Sequence, residues 1–323
     1  MTRTKSGTID IDPDGDGILG LSFQRCQDTK AALSEPDVKQ EINSSNTAQH
    51  PPIESESPEF RYRVSSKHLI LAPQYIKQTI TKPPPEGSEQ DSVDLGLSDC
   101  DPDALLIILN IIHGYNSKVP RSVSIELLLD LAAVVEHLQC HEVVEVFASI
   151  WIQRAKDEQG PLSDEASLVS IGWAFRDNGT FKKATMHCQQ YGLSLPDSCL
   201  PIPARIRDDL ENTQENARNE LFSLLELGLN CLCDTNIQCC FSCDAMCLGL
   251  LVKHRTTQGI HNNDPETLSP SKMYDCIRQF HYTNCQSYSG KACRNIRWFN
   301  DMRIEAGKIY DTLQGLDLDD YLT

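Results

Sequence analysis

The chain has 323 residues and is 40% hydrophobic, which is enough apolar material for one or two folded domains. Acidic residues outnumber basic ones by 46 to 29, and the formal charge of −17 would repel a phosphate backbone, so we expect no direct binding to nucleic acid. The amino terminus lacks the apolar stretch of a signal peptide, and the longest apolar clusters are too short to cross a bilayer. We therefore expect an intracellular protein, cytoplasmic or nuclear, that does not enter membranes.

The first part of the chain alternates between strand patterns and polar segments. Residues 1–7 are predicted to be flexible, and the apolar run from Ile18 to Phe23 predicts a strand. Residues 25–59 are rich in Ser, Asn, Gln, Glu and Pro and poor in large apolar side chains. Such a composition buries too little surface to offset the entropy of ordering, so we predict a disordered insertion there.

Helical patterns follow a short strand-like stretch. FRYRVSSKHLILAPQYIKQTI, from Phe60 to Ile80, changes from strand-like alternation to a helix-like apolar run. The pair Asp101-Pro102 is a good N-cap and first turn for the next helix, DPDALLIILNIIHG. Its predicted apolar face consists of Leu105, Leu106, Leu109 and Ile112. Two further helices are predicted, from Ser124 to Leu138 and from Cys140 to Lys156, so this half reads as a helical bundle on a small sheet.

The remainder of the chain shows helical spacing only. Beyond Lys156 no strand is predicted, and the longest amphipathic pattern runs from Ile206 to Leu229. The closing stretch Leu316-Asp-Leu-Asp-Asp-Tyr-Leu is acidic and apolar, and it either docks locally or binds the groove of a partner. The fold class predicted is α+β for residues 8–156, followed by an all-α domain over residues 157–323.

Several of these pieces, taken in order, resemble a BTB/POZ domain of the fungal type, in which a helical region follows the domain. They are Gly15-Asp16 before a strand, the run RVSSKHLILA from Arg63 to Ala72, and DPDALLIILNIIHG with its paired helices. The resemblance covers about residues 8–156, and the later CCFSCDAMCLGLLVK is similar to a segment of such fungal proteins. The family's Ser-Pro-x-Phe is here Pro73-Gln74-Tyr75-Ile76, its usual histidine is Ser65, and its Tyr-x-Gly is Ile112-His113-Gly114.

The resemblance implies protein association, since BTB domains self-associate or recruit partners and some bind cullin-3 ubiquitin ligases. It implies a dimer surface that includes the first strand and first helix, with Asp16, Lys67, His68 and Leu71 in it. We therefore predict a homo-oligomerising scaffold or adaptor that binds itself or other proteins. The alternatives are a cullin-3 substrate adaptor and a zinc-stabilised structural protein.

The zinc alternative comes from the cysteines, of which the chain has 14. A cluster runs from Cys231 to Cys247, and more cysteines follow it. Cys239 and Cys243 are one helical turn apart, and together with Cys285 and Cys293 they can supply the four ligands of a zinc site. The opposing interpretation is that these cysteines are buried small hydrophobic residues of a reduced protein that has no cofactor.

Catalytic signatures do not occur in the sequence. It contains no Gly-x-Ser-x-Gly elbow, phosphate loop or dinucleotide fingerprint. The histidines His113, His137, His141 and His187 fall in helical patterns without a matching partner spacing, so we interpret them as partly buried or surface residues. We predict that the chain is not an enzyme.

Overall fold

The computed structural model describes residues 8–22, 59–71, 76–77, 92–93, 100–159, 165–195, 202–235, 238–260, 268–281 and 293–322. The chain divides into two compact units, Met1–Pro161 with Asp197–Pro201 and Leu162–Pro196 with Ile202–Thr323. The predicted flexible residues 1–7 lie outside the described residues. The predicted insertion at 25–59 does too, apart from Glu59, which begins a strand.

The first unit contains a small mixed sheet. Its described strands are β1 (Thr8–Asp10), β2 (Gly17–Ser22), β3 (Glu59–Val64) and β4 (Ser92–Val93), in the order β1-β3-β2-β4. β2 and β3 are antiparallel, whereas β1 is parallel to β3 and β4 is parallel to β2. Leu19 and Leu21 of β2 and Tyr62 and Val64 of β3 are buried, because alternate residues of a strand face the same side of a sheet.

The other main elements described in the first unit are helices. They are α1 (Ser66–Leu71), α2 (Pro102–Ile112), α3 (Ile125–Leu138) and α4 (His141–Gln159). α2 begins as the sequence indicates, because the carboxylate of Asp101 accepts hydrogen bonds from the backbone N–H groups of Asp103 and Ala104 at 2.8 and 3.1 Å. The described residues are mostly helical and include one small mixed sheet, which confirms the predicted α+β class.

The predicted apolar face of α2 is wrong in part. Leu105 and Leu109 are buried as expected, but Leu106 and Ile112 are only half-buried. Residues outside the predicted face are buried as well, namely Ile107, Ile108 and Ile111. A helix that is apolar at nearly every position gives no amphipathic signal, so only the packing around it decides which residues are covered best.

The regular secondary structure in the described part of the second unit is all helical. Its helices are α5 (Glu165–Ala174), α6 (Asn178–Tyr191), α7 (Ala204–Cys233), α8 (Phe241–Thr257), α9 (Pro270–Gln279) and α10 (Arg294–Tyr310). α5 and α6 approach closely at Gly172, where a Cβ atom would lie 2.6 Å from the backbone nitrogen of Phe181. The core that joins α7 to α10 contains Leu221, Leu225, Met273, Ile277, Phe280 and Phe299. No helix among the described residues combines the length and hydropathy that crossing a membrane requires.

Candidate metal centre and candidate interaction surface

Three of the four cysteines predicted as metal ligands come together in the second unit. Cys239 lies just before α8, Cys243 lies in its first turn, and Cys293 is the N-cap residue of α10. The Sγ atom of Cys293 lies 3.5 Å from that of Cys243 and 3.6 Å from that of Cys239, and all three sulfurs lie within 4.8 Å of one another. We call these three residues the thiol cluster. The fourth predicted ligand, Cys285, lies outside the described residues.

The spacing within the thiol cluster fits a tetrahedral metal. Zinc–sulfur bonds of about 2.3 Å at tetrahedral angles place neighbouring sulfurs about 3.8 Å apart. The observed separations of 3.5 and 3.6 Å are close to that value. Thiolates are soft ligands that suit zinc, copper(I) or an iron–sulfur cluster and disfavour magnesium and calcium.

Two of the three sulfurs lie near the N-terminal ends of helices. Cys243 and Cys293 lie at the N-terminal ends of α8 and α10, where the helix dipole stabilises negative charge. The side-chain amide of Asn295 donates a hydrogen bond to the Sγ atom of Cys243 at 3.5 Å. A hydrogen bond to a metal-bound sulfur offsets part of its negative charge and orients it, as outer partners do in protein metal sites.

A buried carboxylate holds the loop that carries Cys239. Asp244 accepts hydrogen bonds from the backbone N–H groups of Gln238 and Cys239 at 2.7 and 3.3 Å. It also accepts one from the amide of Asn295 at 2.7 Å. Asp244 and Asn295 therefore connect the loop, α8 and α10 around the sulfurs, a role that was not predicted for either residue. The position of Asp244 directly after Cys243 was the only signal in the sequence.

Other cysteines differ from the thiol cluster. Burial raises the pKa of Cys140 to about 12 and that of Cys276 to about 11, and it also raises the pKa of Cys247. These three side chains are protonated, buried apolar groups, as the opposing interpretation has it. Cys240, which forms the Cys-x-x-Cys spacing with Cys243, is exposed and lies outside the cluster.

The four residues predicted for the interaction surface lie at α1 and the loop before β2. The carboxylate of Asp16 accepts hydrogen bonds from the backbone N–H and the Oγ of Ser66, both at 2.7 Å. These bonds, the one from the Ser66 hydroxyl above all, lower the pKa of Asp16. Asp16 therefore caps the N-terminus of α1 from a neighbouring loop, although its own chain position lies 50 residues earlier.

The other three predicted residues are exposed on α1. Lys67 and His68 face solvent, and Leu71 is 85% exposed. Ile70 beside it is exposed as well. We call these four residues of α1 the α1 surface. The cap at Asp16 holds the helix that presents it.

His113 links α2 to the start of α1. Its Nε2 accepts a hydrogen bond from the backbone N–H of Ser65 at 3.1 Å, and its Nδ1 lies 2.8 Å from the carbonyl oxygen of Leu109. Nδ1 therefore carries the proton and the ring is neutral. Desolvation lowers the pKa of His113, and its ring lies 5.1 Å from that of His68. The sequence predicted a partly buried or surface histidine and gave no sign of this contact.

Comparison of the chain with protein-family models, curated proteins and solved structures found no match. The fold and the sites define a class in broad terms: an α+β unit with an exposed apolar helix end, and a helical unit that contains a cluster of three thiols. The BTB/POZ resemblance stays a prediction from residues.

Proposed function

We propose that this chain is a non-enzymatic protein-binding scaffold whose helical unit is held in shape by a zinc ion bound to Cys239, Cys243 and Cys293. The observation that carries the zinc proposal is the convergence of three Sγ atoms within 4.8 Å. Cys243 and Cys293 are 50 residues apart in the chain, so an ion between them closes a long loop.

The position of the thiol cluster favours a structural role for the ion. α8 packs mainly on α7, and α10 packs on α9 and α7, whereas α8 and α10 contact each other less. A metal at their N-terminal ends supplies a link that packing supplies only weakly. Because Cys243 and Cys293 are buried, their sulfurs are shielded from solvent, as in closed structural zinc sites.

Metal analysis of the purified chain tests the zinc proposal. We expect about one zinc per chain, and we expect a strong chelator to lower the melting temperature because the folded state loses the free energy of metal binding. Added zinc should restore the melting temperature, and added magnesium should not. A metal-free chain whose melting temperature does not respond to the chelator or to zinc would remove the proposal.

The scaffold part of the proposal rests on the α1 surface. A Leu side chain that is 85% exposed beside an exposed Ile is unfavourable in water and is typical of an interaction site. With Lys67 and His68 next to these side chains, the end of α1 presents an apolar centre with a polar rim. In this proposal the surface binds a second copy of the chain.

Light scattering coupled to size exclusion tests the association. We expect a dimer for the unchanged chain and a monomer for Leu71→Asp, because a carboxylate cannot be buried in an apolar contact without a partner. Val146→Asp, at a 69% exposed position of α4, is the matched control and should leave the mass unchanged. A monomer in the unchanged chain contradicts self-association, and a pull-down of purified cullin-3 by that monomer would favour the adaptor alternative.

A further inference from the structure

A segment of the second unit, Gly315–Leu322, lies along α6 and contains a short 3-10 helix over Leu318–Asp320. We call it the docking segment. α6 faces it with four polar side chains that are three or four residues apart and therefore share one side of the helix: Asn178, Lys182, Thr185 and Gln189. We call this side of α6, together with Arg205 and Asp209 in the first turns of α7, the α6 groove.

The α6 groove contacts the main chain of the docking segment. Three of its side-chain oxygens accept hydrogen bonds from backbone N–H groups of the segment. The pairs are Gly315 to Gln189 at 2.8 Å, Leu316 to Thr185 at 2.9 Å and Leu318 to Asn178 at 3.1 Å. The segment thus runs antiparallel to α6. Because such bonds use the main chain of the segment, another peptide that follows the same backbone path can form them.

The polar side chains of the groove are built into the core of the unit. Thr185 and Gln189 are buried, so losing the N–H groups of the docking segment would leave buried acceptors with fewer hydrogen bonds, at a cost. Gly315 has a φ of 81°, and a Cβ atom at this position would overlap the carbonyl of Lys182. The segment therefore approaches α6 as closely as only a glycine allows.

Side chains of the docking segment give the contact its chemical preference. Leu318 is 1% exposed, and the ring of Tyr321 packs edge-on against Phe181 at 6.3 Å between centroids. The hydroxyl of Tyr321 donates a hydrogen bond to the carboxylate of Asp209 at 2.7 Å. The apolar pocket and the hydroxyl acceptor thus select a leucine and, three residues later, a tyrosine.

The charges of the two sides are complementary along most of the contact. Lys182 forms an ion pair with Asp317 at 3.3 Å, and the guanidinium of Arg205 lies 5.0 Å from the centre of the Tyr321 ring. The docking segment carries Asp319 and Asp320 as further acidic residues. Complementary charge of this kind favours acidic peptides over basic ones.

We propose that the α6 groove is a binding site for an acidic peptide of a partner protein, with leucine and tyrosine in the spacing of Leu-Asp-Asp-Tyr and with this stretch in a 3-10 turn, as in the docking segment. The docking segment occupies this site within its own chain and competes with the partner. None of the described hydrogen bonds or ring contacts requires the peptide to be joined to α10. The inference does not depend on zinc binding or on the α1 surface.

Two matched leucine substitutions in the full chain test the proposal. Leu318→Asp places a carboxylate in the buried pocket and frees the α6 groove, whereas Leu322→Asp makes the same change at a 40% exposed position of the same segment. A fluorescein-labelled peptide with the sequence LQGLDLDDYL is titrated into each chain, and its anisotropy is measured. The Leu318→Asp chain should bind the peptide at least about tenfold more tightly than the Leu322→Asp and unchanged chains, because a tethered segment competes at a high effective concentration.

A charge exchange tests whether the peptide occupies the groove itself. Lys182→Glu in the Leu318→Asp chain should weaken binding by about threefold, the usual effect of an exposed ion pair. A peptide with lysine in place of Asp317 should regain that loss. A peptide with alanine in place of Tyr321 should bind at least about tenfold more weakly than the unchanged peptide, since a buried aromatic contact and a charged hydrogen bond are removed.

Several results would overturn the proposal. One is a Leu318→Asp chain that melts cooperatively and does not bind the peptide. If Leu318→Asp does not fold, the same titration of Tyr321→Ala decides, and absence of binding to that folded chain is again a negative result. Equal affinities for the unchanged and released chains would contradict competition. A dimer that forms by exchange of docking segments, detected by light scattering and dissociated by the peptide, would assign the groove to a second copy in place of a partner protein.

Discussion

The thiol cluster and the α1 surface differ in how their residues come together. The α1 surface consists of near neighbours in the chain, Lys67, His68, Ile70 and Leu71, which one short helix brings together. The thiol cluster joins residues that are 50 positions apart, and it exists only because α8 and α10 bring their N-terminal ends to one place. The sequence can therefore predict a surface that consists of chain neighbours. For a site formed by distant residues, it predicts only the candidate ligands.

The largest expected effect tests whether the thiol cluster is a metal site or part of the core. Cys243→Ser should remove zinc and lower the free energy of unfolding by about 4 kcal/mol, the linkage value for a ligand at about a thousand times its dissociation constant. Chemical denaturation measures this change. Cys240→Ser, at the exposed cysteine three residues earlier, is the matched control and should retain both zinc and stability.

The fourth ligand can be examined in the same way. If Cys285 completes the site as the sequence predicts, Cys285→Ser should lower zinc affinity as Cys293→Ser does. Loss of stability in Cys243→Ser without any zinc in the unchanged chain would instead identify the cluster as buried apolar packing.

A smaller effect tests whether Asp16 only stabilises α1 or also contacts a second copy of the chain. Asp16→Ala removes the cap of α1 and should lower the free energy of unfolding by about 1 kcal/mol, because the backbone N–H of Ser66 loses its acceptor. Denaturant titration measures the loss, and Asp14→Ala in the same loop is the control. If Asp16 contacts a second copy directly, its replacement would change the mass in solution more than the stability of the chain.

The smallest effect is a pH dependence at His113. Because the pKa of His113 is lowered in the folded chain, the unfolded state binds a proton at a higher pH than the folded state does. Protonation of His113 therefore does not reduce the free energy of unfolding above about pH 6.5, the ordinary pKa of histidine. The free energy of unfolding decreases as the pH falls below that value. His113→Gln should show a weaker dependence between pH 7 and pH 5 than the unchanged chain. Equal slopes for the two chains would contradict the neutral, buried imidazole.

Parts of the fold that depend on local chemistry follow from the sequence. Asp101 caps α2 as predicted, because an Asp before a Pro satisfies the first N–H groups of a helix wherever the chain places it. The apolar face of α2 did not follow, since its near-continuous run of apolar residues leaves the choice of covered positions to the surrounding helices. His113 did not follow either, because its partner, the N–H of Ser65, lies 48 residues away in the chain.

The docking segment also combines features that the sequence predicts with features that depend on tertiary contacts. Its acidic and apolar composition indicated two outcomes, local docking or a partner groove, and the structure places it on α6 of its own unit. The stripe from Asn178 to Gln189 could be read as one polar side of a helix, and such a side usually faces water. Burial of Thr185 and Gln189 beneath the docking segment reverses that expectation.

By itself, the sequence determined the α+β class, the helical second half, the cap of α2 and the residue types that can bind a metal. These follow from hydrophobic periodicity and from hydrogen bonds within a few residues, which act before any tertiary contact forms. Only the tertiary structure decided that the sulfurs of Cys239, Cys243 and Cys293 come together, and that Asp16 caps α1. Contacts between distant residues depend on the packing of whole helices and strands, because closing a long loop is favourable only when the packed elements stabilise it.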